Sequence, residues 1–385
     1  MKNQIYMKAV AVSLCLLSAA AHAQSKFSLT NLSSLSPQGD AVWNSINNAG
    51  DIVGTDGYNV NVYSNGALKQ YEVGYYSWDA SAFIGNDGTV AYTVWGNYQN
   101  LEMDRSYVLK NGVIQEIKPL YPDIYRGGTY ARAMNDSGVV VGSGSHYNSE
   151  CSSSDWGCEY RSPWSRAIIY QNGQTTDLGT LGGNTASAHG INNQGVIVGV
   201  STTSPDADKN TVFVYTDGAM RSLDITANGA VFINDAAQIA GKEWGPNGNE
   251  AWLYDHGKVT ALGLTDRSNV VLDMNNAGQV VGSGDNLRFW LYAGGETIDL
   301  NTLLHEDGWW IDSVLDLNDR GQILATARRN GGALQYVLLT PDQAPILLPP
   351  GVPPGVPLPV PEPGTYAMLI GGLGVLAAWR RRRTA

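Results

Sequence analysis

The sequence predicts an all-β fold, a seven-bladed β-propeller of four-stranded blades. Three observations carry that expectation. A nine-residue motif recurs seven times, a second turn signal follows nearly every copy, and no part of the body keeps a 3.6-residue hydrophobic period. Only 15% of residues are charged, against the usual quarter, while glycine, asparagine and tyrosine are abundant. That mixture suits short strands joined by tight turns.

The motif reads INNAGDIVG from Ile46, IGNDGTVAY from Ile84, MNDSGVVVG from Met134 and INNQGVIVG from Ile191. It continues as INDAAQIAG from Ile233, MNNAGQVVG from Met274 and LNDRGQILA from Leu317. Successive copies lie 38, 50, 57, 42, 41 and 43 residues apart, and strand-rich repeats near 40 residues mean a propeller or a solenoid. In each copy an apolar residue ends one strand. Asparagine then forms an Asx turn, glycine takes a positive φ, and alternating Ile and Val begin the return strand. Gly85 replaces the first asparagine of the second copy and Ala237 the glycine of the fifth, so altered turn geometry is expected in both.

A second hairpin follows each of the first six copies, as in VNVYSNGALKQYEV from Val60, SYVLKNGVIQEI from Ser106 and AWLYDHGKVTALGL from Ala251. Apolar strands flanking NG, DG, HG or GG are a strong hairpin signal, and two hairpins per period make one blade. The seventh copy has a third strand in ALQYVLLT but no such turn after it. FSLTNLSSL from Phe27 resembles the fourth-strand segment TDLGTLGG and is expected to close the ring, with APILLP from Ala344 competing for that place. The alternative architecture is an open β-solenoid.

Both ends carry addresses. Lys2 and Lys8, an apolar run to Ala21 and an Ala21-His22-Ala23 site make residues 1–23 a secretory signal peptide. The repeat body then spans 24–340. Residues 341–359 form a proline-rich spacer biased to polyproline II. Residues 360–385 hold Val360, Pro361, Glu362 and Pro363, an apolar stretch from Gly364 to Trp379, and Arg380, Arg381, Arg382 and Arg383. Those 16 apolar residues reach about 24 Å as a helix, short of the roughly 30 Å hydrocarbon core. The arginines hold the tail at the cytoplasmic leaflet. Net charge is −11 overall and more negative in the body, which argues against a nucleic-acid partner. Cys151 and Cys158 in CSSSDWGC are expected to form a loop disulfide in an oxidising compartment.

The C-terminal stretch resembles the PEP-CTERM sorting signal: VPEP, apolar segment and arginine cluster occur in its order and spacing. The resemblance implies recognition by an exosortase-like membrane enzyme, processing near Pro361–Pro363, and delivery to the surface or matrix of a Gram-negative bacterium. Until processing, the C-terminal helix would hold the chain transiently in the inner membrane. The repeats resemble the extracellular HAF-type repeat, most closely over Trp164–Gly199, although SRAIIY and NEAWLY stand where the His-Ala-Phe tripeptide would be.

No nucleophile motif, HExxH or EF-hand loop is present, so no catalytic residue, metal ligand or cofactor is assigned. His189 lies in a first strand, aligned with Asn44, Ala131 and Asp316 of other copies, and His256 in a hairpin turn; both read as structural variation. Aromatic loops between second and third strands are the candidate ligand-binding elements. They carry Trp95, Tyr98, Tyr147, Trp156, Tyr160, Trp164 and Trp244 as stacking platforms, with Arg161 and Glu159 as hydrogen-bonding partners. The expected function is non-catalytic, binding or structural, in extracellular polysaccharide. A propeller glycan hydrolase or lyase, with an acidic pair converging at the central channel, and a protein-interaction scaffold are the alternatives.

Overall fold

The structure, a computed structural model, describes residues 25–35, 41–73, 80–98, 101–120, 128–146, 164–246, 248–262, 268–285, 288–348 and 350–351. The chain divides into two units, residues 1–354 and 355–385, and every described residue belongs to the first. The signal peptide, Cys151, Cys158 and the whole sorting tail lie outside the described residues.

Seven four-stranded antiparallel sheets form the blades. After β1 (Phe27–Asn31), blade 1 comprises β2 (Val42–Ile46), β3 (Ile52–Thr55), β4 (Asn59–Ser64) and β5 (Ala67–Glu72). Blade 2 comprises β6 (Ala80–Ile84), β7 (Val90–Tyr98), β8 (Leu101–Lys110) and β9 (Val113–Glu116). Blade 3 comprises β10 (Thr129–Met134), β11 (Val140–His146), β12 (Trp164–Gln171) and β13 (Gln174–Asp177). Blade 4 comprises β14 (Ala186–Ile191), β15 (Ile197–Ser201), β16 (Thr211–Thr216) and β17 (Ala219–Thr226). Blade 5 comprises β18 (Phe232–Ile233), β19 (Ile239–Gly245), β20 (Gly248–Asp255) and β21 (Lys258–Ala261). Blade 6 comprises β22 (Val270–Met274), β23 (Val280–Ser283), β24 (Phe289–Ala293) and β25 (Glu296–Asp299). Blade 7 comprises β26 (Trp309–Leu317), β27 (Ile323–Arg329) and β28 (Leu334–Pro341), with β1 as its outer strand.

The expected closure is present. Phe27 pairs with Pro341 and Asn31 with Val337, so both chain ends build one blade. The innermost strand β2 packs against β26, which closes the ring and rules out an open solenoid. Apolar side chains fill the gaps between blades: Leu291, Leu300, Ile311, Ile323 and Leu339 form one cluster across blades 6 and 7.

The motif asparagines stitch this ring. Asn318 shows how: its Oδ1 accepts the N–H groups of Arg320 and Gln322, making the Asx turn, and its Nδ2 donates 3.0 Å to the Asn47 carbonyl of the next blade. Asn47, Asn135, Asn192, Asn234 and Asn275 donate in the same way to Gly85, Asn192, Asn234, Asn275 and Asn318. Gly85 has no side chain to give, and there Asn86 Nδ2 bonds Asp136 instead. A second ring runs through the next position: Asn48, Asp136, Asn193, Asp235, Asn276 and Asp319 exchange backbone-to-side-chain bonds around the same mouth. The buried asparagine amides of the first ring are thereby satisfied.

The altered turns expected at Gly85 and Ala237 are not seen. Both keep the hydrogen bonds of the other copies, Gly88 to Gly85 and Ala237 to Asn234. Ala237 simply adopts φ 59°, a left-handed conformation that costs about 1 kcal/mol for a residue with a Cβ.

The last glycine of the motif has its own reason. A Cβ on Gly54, Gly142, Gly199 or Gly282 would lie 2.4, 1.9, 2.1 and 2.4 Å from the carbonyls of Val42, Tyr130, Ser187 and Val270. Those carbonyls approach because the facing inner strand bulges, at Asn44, Arg132, His189 and Leu272 respectively. Where Tyr92 replaces the glycine, β6 pairs with β7 without a shift.

Past β28 the chain docks instead of projecting. Leu348 N–H donates to the Asn276 carbonyl and Gly351 N–H to that of Asp235, while Pro345 lies against Gly321. Residues 342–348 and 350–351 thus run over the motif turns of blades 7, 6 and 5, and the described part of APILLP lies there instead of in blade 7.

Candidate ligand-binding channel and aromatic rim

The bulges re-aim side chains, and this builds the channel. Asn44, Arg132, His189, Leu272 and Leu315, each the extra residue of an inner strand, line an axial cavity of about 310 Å³ together with Asp273 and Asp316. The alignment expected for His189 is corrected by one residue: its structural equivalents are Asn44, Arg132 and Leu315, not Ala131 or Asp316.

Asp273 and Asp316 are the acidic pair anticipated for a hydrolytic reading. The Asp273 carboxyl hydrogen-bonds that of Asp316, which requires a proton between them. Burial first, and then the neighbouring Asp316 carboxyl, hold Asp273 well above the usual carboxylate range. Both groups also serve the fold. Asp273 Oδ2 accepts the Leu317 N–H at 2.8 Å, and Asp316 Oδ2 accepts the Ile46 N–H at 2.7 Å, each across a blade junction.

Across the channel His189 Nδ1 accepts the Val231 N–H at 3.3 Å. Burial and then the adjacent Arg132 charge pull its pKa down to about 3, so the ring is neutral with its proton on Nε2. Arg132 lies with Cζ 4.7 Å above the Tyr130 ring. His256 occupies a hairpin turn at φ 48°, as expected.

The face opposite the motif turns carries the connections between second and third strands, with the starts of the inner strands. Trp244, opposite Asn249 on the extended β19–β20 hairpin, is 74% exposed. Trp95 and Tyr98 lie on β7 opposite Asp104 and Leu101, and Trp164 on β12 opposite His146, so their hairpins reach the same face. Tyr147, Trp156, Glu159, Tyr160 and Arg161 lie outside the described residues. Sequence reasoning missed Tyr58 (59% exposed) and Trp310 (47%), which share this face. The readable signal for Trp310 was the Trp309-Trp310 doublet opening a first strand. Beside it, Arg329 covers the Trp309 ring and Arg328 pairs with Asp312 at 3.2 Å.

Among the described residues no cluster of His, Cys, Asp or Glu has the arrangement of a metal site, and no helix is long and apolar enough to cross a membrane.

Residues 359–383 match the PEP-CTERM protein-sorting motif. No curated protein matches the chain. Among solved structures it is similar to the β-propeller domain of the Trilobed protease from Pyrococcus furiosus, with TM-score 0.53 and 12% identity over 83% of this chain and 98% of that one. It is also similar to the uncomplexed acylaminoacyl peptidase of Pyrococcus horikoshii, with TM-score 0.50 and 14% identity over 85% of this chain and 53% of that one. The chain spans about half the length of the acylaminoacyl peptidases it matches. At such identity the likeness establishes the fold. Fold and tail together define an exported β-propeller bearing a C-terminal sorting signal.

Proposed function

We propose that this protein is delivered to the bacterial surface or matrix, after exosortase processing near Pro361–Pro363, and there binds extracellular polysaccharide without catalysis. The HAF-like character of the repeats agrees with an extracellular role. The observation that carries the reading is the exposed aromatic set on one face, with Trp244 foremost. Flat apolar rings held on rigid hairpins, beside Arg328 and Asp312, offer the stacking and hydrogen-bonding surfaces that sugar rings use. Affinity electrophoresis of the exported protein through gels containing the producing organism's matrix polysaccharide tests it. Trp244→Ala and Trp164→Ala should each reduce retardation by about tenfold in apparent affinity. Equal retardation of both variants and the parent would refute the sugar-binding reading.

The Asp273–Asp316 pair favours a second reading, glycan hydrolysis or cleavage in the channel. Both carboxyls already accept backbone N–H groups across blade junctions, so we assign them to the fold. Turnover of matrix glycan that disappears in Asp316→Asn would reverse that assignment.

A further inference from the structure

Five inner strands bulge toward the axis, and on blades 3 and 4 the bulge residues are two hydrogen-bond donors. We propose that the channel binds a small carboxylate-bearing sugar, of the uronic-acid class, through the Arg132 guanidinium and the His189 Nε2–H. The proposal concerns the channel and does not rest on polysaccharide binding at the rim.

Four observations converge. The Val231 N–H occupies His189 Nδ1, so Nε2 carries the ring proton and can only donate. Tyr130 holds the Arg132 guanidinium from one side and the Asp104 carboxylate favours its charge, which leaves its N–H groups toward the channel as donors. A guanidinium with unspent donors matches a carboxylate in the bidentate manner. The far wall holds the Asp273 and Asp316 carboxyls, whose oxygens each keep a lone pair beyond the backbone N–H they accept. Donors on one side and acceptors on the other suit a ligand with one carboxylate and several hydroxyls. The cavity, about 310 Å³, stands at the lower end of the roughly 300–1,000 Å³ range of ligand pockets, which suits a single sugar residue.

Calorimetric titration of the exported protein with D-glucuronate, and in parallel with D-glucose, tests the assignment. Glucuronate should bind and glucose should bind at least about tenfold more weakly. Arg132→Gln should weaken glucuronate by at least about tenfold, because a charge-assisted pair is lost. Arg132→Lys should recover part of that loss. His189→Gln, which keeps an acceptor for Val231 and a donor for the channel, should bind better than His189→Leu. Thermal unfolding of each variant shows whether the ring remains intact. Absence of glucuronate binding, equal binding of glucose, or parent-like affinity in a folded Arg132→Gln would each overturn the proposal.

Discussion

Replacing Asn318 by alanine tests the physical basis of the ring. Asn318 is 5% exposed and makes four bonds: Nδ2 to the Asn47 carbonyl at 3.0 Å and to Gln322 Oε1 at 2.9 Å, and Oδ1 from Arg320 and Gln322 N–H at 3.1 and 2.9 Å. Alanine deletes all four and leaves the Asn47 carbonyl buried without this donor. At about 1 kcal/mol for each lost bond, the expected cost is roughly 4 kcal/mol. That corresponds to a fall of about 8 °C in Tm at roughly 2 °C per kcal/mol for a large domain. Asn318→Asp separates the two roles, because it keeps the Asx acceptor but removes the donor across the junction. It should still lose about 2 kcal/mol, since a carboxylate then faces a buried carbonyl. Urea unfolding of the two variants is the assay. A cost below about 1 kcal/mol for alanine, or none for aspartate, would show that the residue serves its own turn and does not latch neighbouring blades.

Three other outcomes follow from the same geometry. Gly199→Ala places a Cβ 2.1 Å from the Ser187 carbonyl, so chemical unfolding should show a loss of about 3 kcal/mol, with displacement of His189 read by its ring resonances. Asp273 is protonated in the folded chain at pH values where the unfolded chain has released that proton. Its contribution is therefore full below the ordinary carboxylate range and falls as pH rises through its raised pKa. Asp316→Asn should flatten that decline, because its Nδ2 can donate to an ionised Asp273 while its Oδ1 keeps the Ile46 N–H; urea midpoints from pH 4 to 8 measure it. Gly351→Ala puts a Cβ 1.8 Å from the Ala236 carbonyl and should release the strap, read as faster proteolytic cleavage between residues 342 and 351.

The blade count, the hairpins and the closing strand were legible because turn chemistry is local and recurs. Asn-Gly at Asn65 and Asn111 takes positive φ at both residues whatever lies elsewhere in the chain. The latches were half legible. The Asx turn of Asn47 shows in five consecutive residues, but its second bond reaches Gly85, and that of Asn318 spans 271 positions. The channel was illegible for a sharper reason. Arg132 and His189 each stand two residues before their motif copy, but nothing local shows that a bulge there turns them toward the axis, or that Asp273 and Asp316 meet on the far wall. The prolines after β28 predict a semi-rigid polyproline II spacer, a conformation that leaves backbone groups unpaired. Here Leu348 and Gly351 find carbonyls on the turns below. Trp310 was hard to read because burial at the start of an inner strand depends on the neighbouring blades and not on local sequence.

The central claim is that the face bearing Tyr58, Trp244 and Trp310 holds the exported propeller on matrix polysaccharide. Cosedimentation of the exported protein with that polysaccharide, for the parent chain and for a Trp244→Ala, Trp310→Ala double variant, tests it most directly. The account predicts that the parent pellets with the polymer and the folded double variant stays in the supernatant. A double variant that pellets as fully as the parent would contradict it.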